Sequence, residues 1–323
     1  MGMKSNVEFR EMAWKRLWTD HWFGRLFGGG LLLGLCGYAV QIVVGGILRR
    51  LGVQSWFDYL QVVAQNRQDL TTPVPQLTQE YISQATSSTV LTIFFSFIMA
   101  GIASYGCAVI LKKCLANDEK GWLGEAFGGF RFPFGMLWLQ LRYWLIFLVW
   151  GIMAGIPFGV AIGFSVPIVK HFGESSLVLT VAAVTVAMSV GLAATFAIYA
   201  VPFYRYRFLW LVKADHPEWG SGKCIAACRE LMKGNKLNSF KLDCSYWKPI
   251  TLMLLPFVVM LLSACACNLL GNAKPVVAIV CIAVFLCVIA LLPLGIVVTQ
   301  YISVGQGFFY EELKKTETTE KAE

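Results

Sequence analysis

The chain predicts an all-α fold: a polytopic bundle of about six membrane-spanning helices, arranged as three hairpins, each preceded by an amphipathic helix at the cytoplasmic membrane surface. Three observations carry that expectation. Hydrophobic residues make up 57% of the sequence and charged residues 14%, with a mean hydropathy of +0.63, whereas soluble domains are about 25% charged. The charges gather in clusters separated by long uncharged runs. Those clusters alternate between rich and poor in Lys and Arg, as loops on opposite sides of a membrane do.

Residues 1–25 read as a cytoplasmic amphipathic N-terminus. Glu8, Arg10, Glu11, Lys15, Arg16, Asp20 and Arg25 interrupt the place where a signal peptide would need its apolar core, so no cleavage is expected. The first span is 26–48, closed by Arg49 and Arg50; at ~1.5 Å per residue it can cross a layer of ~30 Å. Its Gly28, Gly29 and Gly30 suggest close helix packing rather than a phosphate loop, since neither a preceding strand nor a Lys accompanies them. An external loop follows at 49–88, in which Trp56, Phe57, Leu60 and Val63 suggest a short helix on the outer leaflet before Pro73 and Pro75.

The remaining spans are expected at 89–111, 134–169, 177–212, 250–270 and 276–304. The third and fourth exceed what a bilayer needs, so they should tilt, kink at Pro157, Pro167 or Pro202, or run on past the lipid. Segments 213–249 and 305–323 are then a cytoplasmic interfacial segment and a cytoplasmic tail. About twenty of the 27 Lys and Arg fall on one side, against Arg49, Arg50, Arg67, Lys170 and Lys274 on the other, which puts both termini in the cytoplasm.

Several function classes lack their signatures. The net charge of +8 has no basic soluble domain to belong to, which argues against nucleic acid. His21, His171 and His216 sit in different loops, and no HExxH, GxSxG or GxxxxGK[ST] occurs, so neither an enzyme nor a cofactor is implied. The ten cysteines avoid the external loop, which points to reduced thiols packing as small hydrophobes. Cys224 and Cys228 share a helix face but have no further ligand at metal spacing.

The most informative stretch is 204–243. Tyr204, Arg205, Tyr206 and Arg207 place rings and guanidinium groups together where the fourth span ends, which suits a lipid headgroup layer. Asp215 could cap a helix near Pro217, or Ser221 a later one. Cys224, Ile225, Cys228, Leu231 and Met232 then repeat at helical spacing, with Lys223, Arg229, Glu230 and Lys233 around the other face, and Gly234-Asn235 closes the helix. Lys236 to Asp243 leads back toward lipid. Arg229, Lys233 and Lys236 join the four residues above as the expected binding set for anionic headgroups or a protein partner. Asp243, approaching the fifth span, needs a cation, and Arg205 and Arg207 lie within reach; a structural pair of Asp243 with Arg205 is expected. Glu311 and Glu312 are expected to be solvated or paired with Lys314 and Lys315.

The lead-ins Ala116-Asn117-Asp118-Glu119 and Ala214-Asp215-His216-Pro217-Glu218 resemble one another, as copies of a repeated hairpin would. The residues Arg205-Tyr206, Ala214-Asp215, Pro217-Glu218, Arg229 through Lys236, Phe240 to Leu242, Ser245, Trp247 and Phe309 through Leu313 together resemble the bacterial membrane proteins known as domain of unknown function 975. Ala13 to Trp22 resembles that family's opening segment. Trp219-Gly220-Ser221-Gly222 and Lys248-Pro249 depart from it. The resemblance implies a multi-pass protein of the bacterial inner membrane with six spans, and no activity. The expectation is a non-enzymatic lipid- or partner-binding membrane protein, with a transporter or flippase of an amphiphile as the alternative.

Overall fold

The structure, a computed structural model, describes residues 4–50, 79–172, 177–252 and 274–320. Its described residues are helical almost throughout. Helix α1 (Asn6–Trp14) starts on a reciprocal cap: the Ser5 side chain accepts from the Glu8 backbone at 3.3 Å while Glu8 accepts from the Ser5 backbone at 2.9 Å. A π-helical turn (Lys15–Thr19) and His21, at φ 56, redirect the chain into α2 (Trp22–Arg50). Then come α3 (Gln79–Ala116), the short α4 (Trp122–Ala126) with a 3-10 turn (Phe127–Arg131), α5 (Pro133–Phe172) and α6 (Leu177–Tyr206). Three short helices follow, α7 (Leu209–Asp215), α8 (Ser221–Leu231) and α9 (Lys236–Ser245), and finally α10 (Lys274–Glu320).

Four stretches are long and apolar enough to cross a membrane: Trp22–Leu48, Thr86–Ala116, Pro133–Pro167 and Ala183–Asp215. They correspond to the first four expected spans. The fifth from 253 onward, and most of the external loop with Trp56, Phe57, Leu60, Val63, Pro73 and Pro75, lie outside the described residues. Two boundaries differ from expectation. The end of the external loop is already helical, because α3 starts at Gln79. The supposed tail after 304 is instead the continuation of α10, whose Gln306, Phe309, Tyr310 and Leu313 are buried. Nothing in that stretch breaks a helix, and its apolar face has a partner.

The long helices pack in two neighbouring pairs, α2 with α3 and α5 with α6. Close approach explains Gly191, where a Cβ would come within 2.6 Å of Ala161 Cβ, and Thr195 Oγ1 beside it donates to the Ala154 carbonyl at 2.8 Å. Of the glycine triplet, Gly29 alone is crowded, against Ile110 and Trp122. The α3 span is 44% buried and that of α2 only 6%, so α3 is the central post and the other helices turn broad apolar faces outward. Buried side chains concentrate at one end, where Phe9, Phe208, Leu209, Met232, Leu242 and Phe309 form a common core beneath the short helices. That end resembles a small globular cap closing a membrane bundle.

Candidate functional site: a polar cap at the basic end

Two carboxylates organise the cap. Asp243 of α9 is met by both guanidinium nitrogens of Arg207, with Nη2 donating to Oδ1 at 3.0 Å. Tyr204 Oη donates to Oδ2 at 2.8 Å and Gln306 Nε2 to Oδ1 at 2.8 Å. Gln306 is locked in turn, since its amide donates to the Ser239 carbonyl at 3.1 Å and its Oε1 accepts from Ser239 Oγ at 3.0 Å. The ends of α6 and α9 are thus joined to α10 by one charge-assisted network in which each buried polar atom has a partner. Arg10 adds α1 to the assembly by donating to the Ser245 carbonyl at 2.6 Å.

The second carboxylate is Asp215, whose side chain is only 3% exposed. It accepts from Lys112 at 2.8 Å, from Lys314 at 2.7 Å and from Tyr310 Oη at 2.7 Å. Burial and that bond to a carboxylate push the Tyr310 hydroxyl well above its ordinary value, so it remains a donor. Next to it the buried Lys213 donates to the carbonyls of Pro217 and Trp219, both at 2.7 Å, tying down the turn between α7 and α8. The neighbouring lysine of α3, Lys113, serves the other copy of the repeated lead-in, holding Asp118 at 2.9 Å and Glu125 at 2.8 Å. The hydrogen bond from Lys113 holds the Asp118 carboxyl below its ordinary range, and one from Arg25 does the same for Glu119.

These placements correct several expectations. The partner of Asp243 is Arg207, not Arg205. On a helix, positions 204 and 207 lie on one face while 205 points roughly 100° away from 204, and the Arg205 guanidinium lies over the Tyr206 ring instead. Asp215 ends α7 and caps nothing, and Ser221 is the first residue of α8, entered from an extended Gly220 without a side-chain cap. Lys314 reaches across to Asp215 rather than to Glu311. Gly234 does take the left-handed conformation, φ 82, that stops a helix. Cys224 and Cys228 are fully buried, and burial pushes the Cys228 thiol up to about 12. Gln306, Ser239, Lys213, Lys112 and Tyr310 escaped sequence reasoning. A signal was present in Gln306, a lone amide between two glycines and an apolar run.

The expected binding set therefore divides. Tyr204 and Arg207 are consumed by Asp243, and Tyr206 is buried. Arg205 is half-buried and Lys236 likewise, whereas Arg229 and Lys233 are exposed. With them α9 presents Leu237, Phe240 and Cys244 outward at helical intervals, and Trp247 follows just past its end, with Leu237 60% and Trp247 59% exposed. Lys233, Lys241 and Lys248 border these residues, all exposed. Among the described residues no group of three or more His, Cys, Asp or Glu is placed to hold a metal.

Besides a cavity of about 390 Å³ between α7, α8 and α10, two further cavities adjoin the cap. One, of about 260 Å³, lies between α2, α3, α7 and α10 and is lined by Ser104, Cys107, Arg207, Gln300, Ser303 and Gln306 among apolar side chains. The other, of about 600 Å³, is bounded by the end of α3, by α4 with its 3-10 turn, and by the end of α7. No curated protein and no solved structure matches the chain. A family model described as "protein of unknown function" (DUF975) matches residues 3–317, and the chain belongs to that family.

Proposed function

We propose that this protein is a non-enzymatic, multi-pass protein of the bacterial inner membrane whose cap binds anionic lipid headgroups on the cytoplasmic side. The proposal includes six spans as three hairpins and both termini in the cytoplasm. The observation that carries it is the outer face of α9. Leu237, Phe240 and Trp247 are exposed, Phe240 with one side against the Tyr204 ring, so the segment is suited to lie with these residues in the acyl region, while Lys233, Lys241 and Lys248 extend their stems to the phosphate layer. A helix with this distribution gains from both terms, apolar burial and attraction to anionic lipid, and each Lys near the surface contributes ~1 kcal/mol. Asp215 and Asp243 already have cations, and among the described residues Lys233, Lys241 and Lys248 have no ion-pair partner.

The test compares the reconstituted chain with a Lys233→Gln, Lys241→Gln, Lys248→Gln variant in nanodiscs that mix phosphatidylglycerol and phosphatidylcholine. Native mass spectrometry of co-purified lipid should show a preference for phosphatidylglycerol that falls roughly fivefold per lysine removed. An unchanged preference would reject the reading.

The smaller cavity supports a second reading, an amphiphile transporter. Its deepest lining residue on α3, Ser104, is about 18 Å along the helix from Ala116, close to the middle of a ~30 Å layer. Dithionite quenching of a fluorescent lipid in sealed vesicles tests it. Transbilayer movement no faster than in protein-free vesicles would dispose of it.

A further inference from the structure

The larger cavity is built differently from the α9 face. Its lining includes Tyr105, Lys112, Lys113, Asp118, Glu125 and Arg131. The ends of three membrane-length stretches meet there: Ala116 closes one, Pro133 opens the next immediately after Arg131 and Phe132, and Ala214 lies one residue before the end of a third. Phe130, Phe132 and Phe134 stand exposed beside it, Phe134 at 74%, as an aromatic band at the boundary between polar and apolar layers. The cavity therefore sits at headgroup depth.

Charge decides what fits. Three cations face two carboxylates, and both carboxylates are held by one of those cations, Lys113, which also donates to the Lys120 carbonyl at 2.7 Å. Lys112 shares Asp215 with Lys314, so two cations divide one carboxylate outside the cavity wall. Arg131 is exposed and has no ion-pair partner among the described residues. One positive charge remains, presented by a fork-shaped guanidinium that suits two oxygens of a phosphate. The volume falls in the range of small-ligand sites, roughly 300–1,000 Å³. Gly124 lies in the wall, and a Cβ there would meet nothing within 4 Å, so a side chain can be added without a clash.

We infer that this cavity is a binding site for the phosphodiester of a phospholipid headgroup, with Arg131 and Lys112 on the phosphate and Phe132 against the first carbons of the lipid. The inference deepens the lipid-binding reading by assigning a discrete site, and it rests on that reading only for the class of ligand.

The experiment uses the full chain in detergent and titrates it with dihexanoyl phosphatidylglycerol, and separately with inorganic phosphate, by isothermal calorimetry. Saturable binding of the lipid is expected, weakened at least about tenfold by Arg131→Gln, as loss of a charge-assisted bond would do. Gly124→Leu should abolish it by filling the space; this change favours the helix, and an unaltered circular dichroism melt confirms the fold. The Lys233→Gln, Lys241→Gln, Lys248→Gln variant removes the α9 contribution, and the saturable binding that remains should still be weakened by Arg131→Gln, so the cavity and the α9 face fail or survive separately. Lipid binding that neither Arg131→Gln nor Gly124→Leu weakens would overturn the inference. Inorganic phosphate binding as tightly as the lipid would also overturn it, by removing any role for the lipid part.

Discussion

Removal of the Asp243 carboxylate tests the cap most directly. In Asp243→Ala, Arg207 keeps its charge with its side chain only 14% exposed, and Tyr204 and Gln306 each lose an acceptor. Breaking a buried pair from one side costs ~3–5 kcal/mol, and some water access here reduces that to about 2–4 kcal/mol. Taking out both partners, as in Asp243→Ala with Arg207→Met, leaves no orphan charge and should cost only about 1 kcal/mol. With Arg207→Met alone as the fourth corner, these variants close a double-mutant cycle whose coupling energy should be at least about 2 kcal/mol. Denaturant unfolding in detergent micelles, followed by far-UV circular dichroism, supplies the four free energies. If Asp243→Ala unfolds within about 0.5 kcal/mol of the parent, or if the two changes simply add, the network does not hold these helix ends together.

Other perturbations have equally definite outcomes. A Cβ at Gly305 would run into the Tyr246 hydroxyl, so Gly305→Ala should destabilise by about 1–3 kcal/mol, and Tyr246→Phe should restore most of the loss. Because that buried hydroxyl has no hydrogen-bond partner among the described residues, Tyr246→Phe alone should stabilise by about 1 kcal/mol in the same unfolding assay. Asp118 and Glu119 are depressed below their ordinary 3.8 and 4.5. Their contribution is therefore complete above those values and is lost as pH falls through the lower folded-state values; melts from pH 7 to 3 should show this and Asp118→Asn should flatten it. Maleimide at pH 7.5 should label the exposed Cys244 and spare the buried Cys224 and Cys228 until the chain is denatured, as mass spectrometry of peptides would show. Labelling of Cys228 in the folded protein would contradict its burial.

Apolar periodicity and length were sufficient to locate the long helices, because a ~20-residue uncharged run has few other uses. The cap was legible only in part. Gly234 announces its own left-handed turn, and the Ser5 to Glu8 spacing carries the signature of a helix start that was there to be read. The choice of Arg207 over Arg205 was not legible, since it depends on the phase at which α6 ends and α9 arrives. Asp215 was misjudged for a related reason: its three partners come from α3 and α10, far away in sequence, whereas capping rules weigh neighbours. Lys112 and Lys113 look alike in the sequence, yet consecutive helix positions point about 100° apart, and so each serves a different carboxylate.

The junction of α1 with α10 bears on how the molecule is made. Phe9 packs edge-on against Phe309 at 5.8 Å, and Arg10 bonds to Ser245 across 235 residues of chain. Helix α1 therefore leaves the ribosome long before the residues of α9 and α10 that cover it, while the intervening spans follow in order. Throughout translation Phe9 and Ala13 lack their final cover, and Asp215 lacks Lys314 until the final turns of α10 emerge. Closure of the cap is thus a late checkpoint in biogenesis: a nascent chain stalled before Tyr310 would display an unsealed hydrophobic seam and an under-neutralised carboxylate to quality-control proteases.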